Sequence, residues 1–331
     1  MDQETILHVN NLETQFSTRK GTVRAVDGVS FAVGKGKVVG LVGESGCGKS
    51  VSALSILKLI PSPPGKIVSG EILFDQRNLA ELSYDAMCNI RGKDISMIFQ
   101  EPMTSLNPVY TVGRQVGEAL KIHQNLTNSE IQRRVLEMFD LVGIPEAESR
   151  FRAYPHQLSG GLRQRVMIAM ALICEPKLLI ADEPTTALDV TIQAQILNLM
   201  IGLRDRLHTA IIMITHDLGV IAEVCDDVNV MYAGKILEKS DVFELFDRPA
   251  HPYTQGLLRS IPGVAPEGQG KRLQSIEGMV PNLLYLPQGC RFHPRCEHVT
   301  DLCRRKEPDF FEIGNGHAVR CWLYQTQGEK V

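Results

Sequence analysis

The feature that most constrains this chain is the string Gly43-Glu44-Ser45-Gly46-Cys47-Gly48-Lys49-Ser50. It follows the apolar run Lys37-Val38-Val39-Gly40-Leu41-Val42, which reads as a short buried strand. It opens onto Val51-Ser52-Ala53-Leu54-Ser55-Ile56-Leu57-Lys58-Leu59-Ile60, a stretch of helical length that stops at Pro61. Strand, glycine loop and helix form the context in which G-x-x-x-x-G-K-S acts as a phosphate-binding loop. The glycines let backbone N–H groups turn inward around an anion, and the helix N-terminus adds its positive end. Lys49 then reaches the β- and γ-phosphates, and the Ser50 hydroxyl ligates Mg²⁺. The expectation is a nucleotide-binding α/β protein.

A chain of 331 residues accommodates one large domain and a smaller one. A net charge of −3 gives no electrostatic footprint for nucleic acid, and Arg133-Arg134 and Arg163/Arg165 read as solvated helix faces. No apolar run approaches the 18 or so residues needed to cross a bilayer. Met1-Asp2-Gln3-Glu4 lacks the positive n-region of a signal peptide. The expected place is therefore the cytosol, with any membrane role supplied by a partner. Cys47, Cys88, Cys174 and Cys225 are scattered, whereas Cys290, Cys296, Cys303 and Cys321 crowd the last fifth. In a reducing compartment such a cluster suggests a metal or iron–sulfur site before disulfides.

Along the chain, Ile6-Leu7-His8-Val9 and Val29-Ser30-Phe31-Ala32-Val33 read as strands. Phe16 lies between them, either a half-buried strand residue or a flat face for adenine. Pro61-Ser62-Pro63-Pro64-Gly65 is a loop, and Glu71-Ile72-Leu73-Phe74 resumes a strand pattern. Ile95-Ser96-Met97-Ile98-Phe99 is a buried-strand candidate ending in Gln100, an amide suited to metal or water contact. From Thr111 to about Ala153 the pattern is helical, with Thr127-Asn128-Ser129-Glu130 as a capping box. Ser159 then caps a helix predicted from Arg163 to Cys174, with Gly160 and Gly161 freeing N–H groups for an anion. Lys177-Leu178-Leu179-Ile180-Ala181 delivers Asp182-Glu183 at a strand's C-terminal end, where open α/β sheets bind ligands. Adjacent carboxylates divide two jobs, one holding Mg²⁺ and one taking a proton from water. A helix over about Thr191–Leu207 follows, then the buried strand Ala210-Ile211-Ile212-Met213-Ile214-Thr215 carrying His216 at its tip. Residues 228–237 read as two strands joined by a tight turn.

With these pieces in order, the chain resembles the ATP-binding subunits of ABC transporters. Gly43, Ser45, Gly46, Gly48, Lys49 and Ser50 look like Walker A, Gln100 like the Q-loop, and Leu158-Ser159-Gly160-Gly161-Leu162 like the signature motif. Ile180-Ala181-Asp182-Glu183 resembles Walker B with its catalytic Glu, Ala187-Leu188-Asp189 the D-loop, and His216 the switch histidine. Phe16 falls where the family places its adenine-stacking aromatic. Leu162 departs from the common Gln. The resemblance, over roughly residues 5–250, implies a P-loop NTPase (RecA-like) cassette with an antiparallel β subdomain and a helical subdomain at about 101–165. It implies an ATP sandwich in which Ser159 and Gly161 act on the partner's ATP. Ser50, Gln100 and Asp182 would hold Mg²⁺, while Glu183, His216 and Gln100 serve hydrolysis. The helical part would receive a permease's coupling helix, with the 101–108 loop, Met103 and Leu106 included, forming part of that groove.

The tail, residues 251–331, narrows the resemblance. His251-Pro252-Tyr253-Thr254, Leu257-Leu258 and Cys290-x5-Cys296-x6-Cys303-x17-Cys321 are similar to the C-terminal extension of the dipeptide/oligopeptide permease ATPases, and the core from Ala169 to Gln195 to their D-type subunit. The cysteine spacing fits neither paired C-x₂-C zinc knuckles nor the ferredoxin run, so it leaves Zn²⁺ and iron–sulfur open; the resemblance implies a [4Fe–4S] cluster. It also implies a second, non-identical ATPase, two permease subunits and an extracellular or periplasmic peptide-binding protein, with this subunit at the cytoplasmic face of the membrane. The nearer alternative keeps this role with another cargo, such as nickel or another metal chelate, glutathione or an antimicrobial peptide. The alternative from another class is an ABC ATPase acting on nucleic acid or ribosomes.

Overall fold

A computed structural model of the chain describes residues 4–100, 105–186, 189–260 and 276–325. In chain order its strands are β1 (Thr5–Thr18), β2 (Gly21–Gly34), β3 (Val38–Val42), β4 (Gly65–Phe74), β5 (Arg77–Asn78), β6 (Ile95–Ile98), β7 (Leu178–Asp182), β8 (Ala210–Thr215), β9 (Asp227–Tyr232), β10 (Lys235–Asp241), β11 (Phe311–Gly314) and β12 (His317–Val319). The chain divides into two compact units. One is Glu81–Ile214 with Met1–Ile6 and Val33–Lys37; the other is Leu7–Ala32, Val38–Ala80 and Thr215–Val331.

In the first unit β6, β7 and β8 pair in parallel, with Ile95 opposite Leu178 and Leu178 opposite Ala210. Every residue of β7 and β8 is buried, the continuous apolar run expected of strands covered on both faces. Between β6 and β7 lie the helices Val112–His123, Asn128–Leu141, Ala147–Phe151 and Gly160–Leu172. Val116, Leu120, Val135 and Phe139 are buried among them. The predicted capping box is present: Thr127 accepts from the Glu130 N–H, and Glu130 accepts from the Thr127 N–H. The signature helix starts at Gly160 rather than Arg163, because Ser159 caps it and both glycines take helical geometry.

In the second unit β2, β1, β4 and β5 form one antiparallel sheet. β3 pairs in parallel with β9, which turns through Ala233 and Gly234 into antiparallel β10. Both turn residues have positive φ, 45° and 87°, the geometry that suits a two-residue hairpin. The tail then adds β12 to β10, with β11 outside it. Residues of the tail therefore share a sheet with β3, the strand that feeds the phosphate loop.

Three further expectations need correction. β1 is one long strand, not a short Ile6–Val9 segment; a register shift between Asn10 and Glu13, with Asn11 at φ 47°, interrupts the alternation that would have revealed its length. β2 likewise begins at Gly21. The helix after the phosphate loop ends at Ile56 instead of Ile60, and Lys58 takes a left-handed φ of 49°.

Candidate active site

The phosphate loop is shaped by close backbone approaches in the second unit. Gly43 has φ 156°, and a Cβ there would lie 2.1 Å from the Met231 carbonyl oxygen. Gly48 has φ 108°, and its Cβ would lie 2.4 Å from the Ala25 carbonyl oxygen. Only glycine fits at both positions. Gly48 precedes the helix Lys49–Ile56, whose first-turn N–H groups therefore open onto the loop. Lys49 is buried, and its ammonium donates to the carbonyls of Gly43 at 2.7 Å and Glu44 at 3.1 Å. Ser45 and Gly46 are exposed at the tip, and Ser50 is half-buried. The Cys47 thiol is fully buried, and burial pushes its pKa up despite the neighbouring Lys49 ammonium. Phe16 is a half-buried residue of β1 opposite Gly65 in β4. His216 lies exposed just past β8.

The acidic corner belongs to the first unit. β7 ends in buried Asp182, and Glu183 then turns out of the sheet with a left-handed φ of 48° while its N–H donates to the Ile214 carbonyl at 2.8 Å. A non-glycine residue in that conformation is held there by its surroundings. The Glu183 carboxylate accepts from Gln100 Nε2 at 2.9 Å and from the Thr186 hydroxyl at 2.8 Å, both onto Oε2. The structure thus joins Gln100 to Glu183, two residues selected separately from the sequence. Thr186 went unrecognised, and its only sequence signal is its place three residues after Glu183. Gln164, buried on the signature helix, donates to the Pro184 carbonyl and ties that helix to the same corner.

Ser159 and Asp189 both serve as helix caps. Ser159 accepts from the Leu162 N–H, and Asp189 accepts from Ile192 at 2.9 Å ahead of the helix Val190–Leu207. A side chain at Gly160 would meet nothing within 4 Å among the described residues, whereas one at Gly161 would press on Ile192. Ala187 and Leu188 of the D-loop lie outside the described residues, as do 101–104 and therefore Met103. Leu106 is buried, which removes it from the docking surface expected for the 101–108 loop.

In the tail, Cys290, Cys296, Cys303 and Cys321 line one cavity of about 120 Å³, together with Phe292 and Trp322. Burial pushes the Cys290 thiol up to about 11 and the Cys321 thiol up to about 12. Such thiols stay protonated at neutral pH unless a cation stabilises the thiolate. Thiolates are the donors that iron–sulfur clusters and other thiophilic metals take. Among the described residues, no group of three or more His, Cys, Asp or Glu is placed to hold a metal ion.

The sequence did not reveal what surrounds Glu44. Its N–H donates to the Tyr253 hydroxyl at 2.9 Å, and Arg295 grips its carboxylate with Nη1 at 2.6 Å and Nη2 at 3.0 Å. Nothing local announces these contacts, because Tyr253 and Arg295 lie 209 and 251 residues away.

Residues 26–186 match the ABC transporter family model, and residues 237–303 match that of the oligopeptide/dipeptide transporter C-terminal region. A probable peptide ABC transporter ATP-binding protein of Sinorhizobium fredii is 54% identical over 96% of this chain and 95% of its own length. The chain belongs to the ATP-binding subunits of peptide ABC transporters. The oligopeptide transport ATP-binding protein AppD of Bacillus subtilis is 52% identical over 98% of both chains, and that organism's dipeptide transport protein DppD 51% over 98% of this chain and 97% of its own. Among solved structures, a dimeric ATP-binding cassette in a post-hydrolysis state with ADP and Pi aligns at TM-score 0.65 and 26% identity, covering 72% of this chain and 99% of that one. CbiO1 of Clostridium perfringens aligns at TM-score 0.64 and 30% identity, covering 74% and 92%. This ATP-binding subunit is an ABC ATPase in fold and in reaction. No helix among its described residues is long and apolar enough to cross a membrane.

Proposed function

We propose that this ATPase powers import of dipeptides or oligopeptides, working at the cytoplasmic face of a membrane with two permease subunits, a second ATPase and an extracytoplasmic peptide-binding protein. The observation that carries the reading is the match of nearly the whole chain, tail included, to peptide transport ATP-binding proteins. In this reading the phosphates of ATP lie against the loop's N–H groups, and Lys49 leaves the Gly43 and Glu44 carbonyls to neutralise charge on the transferred phosphoryl. Ser50, Asp182 and Gln100 would serve as ligands for Mg²⁺, which would supply further charge neutralisation when bound. Glu183, oriented by Gln100 and Thr186, takes the proton from attacking water, and His216 contacts the γ-phosphate. Phe16 stacks on adenine. Ser159 and Gly161 face the ATP of a partner cassette, a role supported by the open space at Gly160. Asp189, the last residue of the D-loop, joins the ATP-binding set.

In this reading the four tail cysteines would hold a [4Fe–4S] cluster, with Zn²⁺ as the lesser alternative. Its contribution is to cross-link the tail. Support comes from the cavity that the four cysteines line and from the match of the tail to the oligopeptide/dipeptide transporter C-terminal region. Anaerobic purification should give iron and visible charge-transfer absorption, both lost in Cys321→Ser; zinc without iron would replace the cluster by a Zn²⁺ site. The function is tested by capturing tagged Glu183→Gln from detergent-solubilised membranes with ATP. Recovery of two permease chains, a non-identical ATPase and a peptide-binding protein is expected. Recovery of ribosomes or DNA with no integral membrane protein would overturn the importer.

A further inference from the structure

The phosphate loop is usually regarded as a local device, yet here one of its residues is held from outside. Glu44 occupies the second position of the loop, and each of its polar groups is engaged. The N–H donates to Tyr253, the carbonyl accepts from Lys49, and the carboxylate takes a two-pronged grip from Arg295. Arg295 is itself fixed. Its side chain is only 4% exposed, its Nε donates to the Glu277 carbonyl at 3.0 Å, and its Nη2 also donates to the Ile276 carbonyl at 3.2 Å. The guanidinium lies near the rings of Tyr232 and Phe292, which pack with Tyr253 in one aromatic cluster. A planar fork meeting a carboxylate in two parallel bonds fixes orientation as well as charge, which a lysine cannot do.

A second brace reaches the loop from the same tail. Arg291 is buried, pairs with Asp27 and donates to the Ala233 carbonyl at 2.5 Å. The next residue in that turn, Gly234, donates its N–H to the Cys47 carbonyl at 2.8 Å, on the loop itself.

We infer that Arg295 is a positioning residue for nucleotide binding: through Glu44 it holds the phosphate loop in its anion-accepting conformation. This deepens the phosphate-loop assignment above and rests on it. Arg295 touches no reacting atom. It raises the fraction of loops ready to receive ATP, and the apparent dissociation constant falls with that fraction. Losing the clamp therefore raises KM and Kd for ATP together and leaves kcat nearly unchanged. A residue that only stabilised the fold would lower the melting temperature without shifting KM of the molecules that remain folded.

The test uses the full chain, with a fluorescent ATP analogue for Kd and phosphate release for KM and kcat. Arg295→Gln should raise both Kd and KM about tenfold, with kcat within twofold. Arg295→Lys, which keeps the charge and loses the fork, should fall between. In Glu44→Gln the carboxylate is gone, so adding Arg295→Gln should change KM by less than twofold. Retention of the parent KM in Arg295→Gln overturns the inference; so does a tenfold effect that persists undiminished in the Glu44→Gln background. Lys49→Ala separates the two assignments. If it binds ATP as the parent does, the phosphate-loop assignment falls. If it fails to bind while Arg295→Gln titrates like the parent, only the clamp falls. Should Arg295→Gln not fold, Arg295→Lys and Glu44→Gln give the same comparison from milder changes.

Discussion

Thr186→Val removes a hydroxyl while keeping the β-branched shape, so it isolates one hydrogen bond to Glu183. In the parent both donors, Gln100 Nε2 and Thr186 Oγ1, converge on Oε2 at 2.9 and 2.8 Å. A hydrogen bond to a charged group contributes about 1.5–3 kcal/mol, and the half-buried setting of Glu183 places this one at the low end. Since about 1.4 kcal/mol is tenfold in rate, kcat should fall about tenfold if the bond serves to aim the carboxylate at water. KM should stay within twofold, because in the proposed function Glu183 acts on water rather than on the phosphates. Phosphate release at saturating ATP gives kcat, and an ATP titration gives KM. Thr186→Ser restores the hydroxyl and should recover most of the rate. A kcat within twofold of the parent in Thr186→Val would refute the reasoning. A serine variant as slow as the valine one would assign the loss to packing instead.

Two substitutions probe the architecture behind the site. Gly48→Ala places Cβ 2.4 Å from the Ala25 carbonyl oxygen at φ 108°, whereas Gly46→Ala at φ 78° meets nothing within 4 Å among the described residues. Both carry a left-handed cost of about 1–2 kcal/mol, and Gly48→Ala adds about 1–3 kcal/mol of overpacking. Nucleotide-free unfolding should therefore rank Gly48→Ala below Gly46→Ala, with equal stabilities counting against the steric argument. Glu238 is fully buried and accepts from the Ala250 and His251 N–H groups and from His317 Nε2 at 2.7–2.9 Å. Burial alone would raise its pKa, but these bonds, led by His317, hold it below the ordinary 4.5. The folded state thus favours the carboxylate: this stability is present in full above pH 4.5 and fades as pH falls through the lower folded value. Glu238→Gln sets an amide N–H₂ among donors, so it should lose about 3 kcal/mol at pH 7. That deficit should shrink below pH 4.5 in denaturant titrations, and a deficit that does not change with pH would refute the linkage.

The parts of this molecule that could be read from sequence are those whose chemistry is contiguous. The phosphate loop announces itself in eight adjacent residues because anion binding needs glycine turns and a helix start in succession. Asp182-Glu183 and Gln100 are legible as polar residues ending apolar runs, since a parallel strand must be hydrophobic until it leaves the sheet. Thr186 is different: a threonine in a turn has many uses, and only the folded structure sets its hydroxyl on Glu183. The length of β1 was hidden by an irregularity that shifts which face each residue occupies. Leu106 looked like a surface anchor because the two-proline loop around it reads as exposed, yet the side chain packs inward. Arg295 and Glu44 are ordinary charged residues, and no local pattern marks two such residues as neighbours.

The distance along the chain between those two residues has a consequence for synthesis. A ribosome extending at about 5–20 residues per second needs on the order of 12–50 s to travel the 251 residues from Glu44 to Arg295. Throughout that interval the nascent subunit carries its phosphate loop without the guanidinium that steadies it. A chain that terminates early, even one that retains each nucleotide motif through His216, ends in the same state. If Arg295 steadies the loop as inferred, a chain reaches full affinity for ATP only once synthesis has passed residue 295.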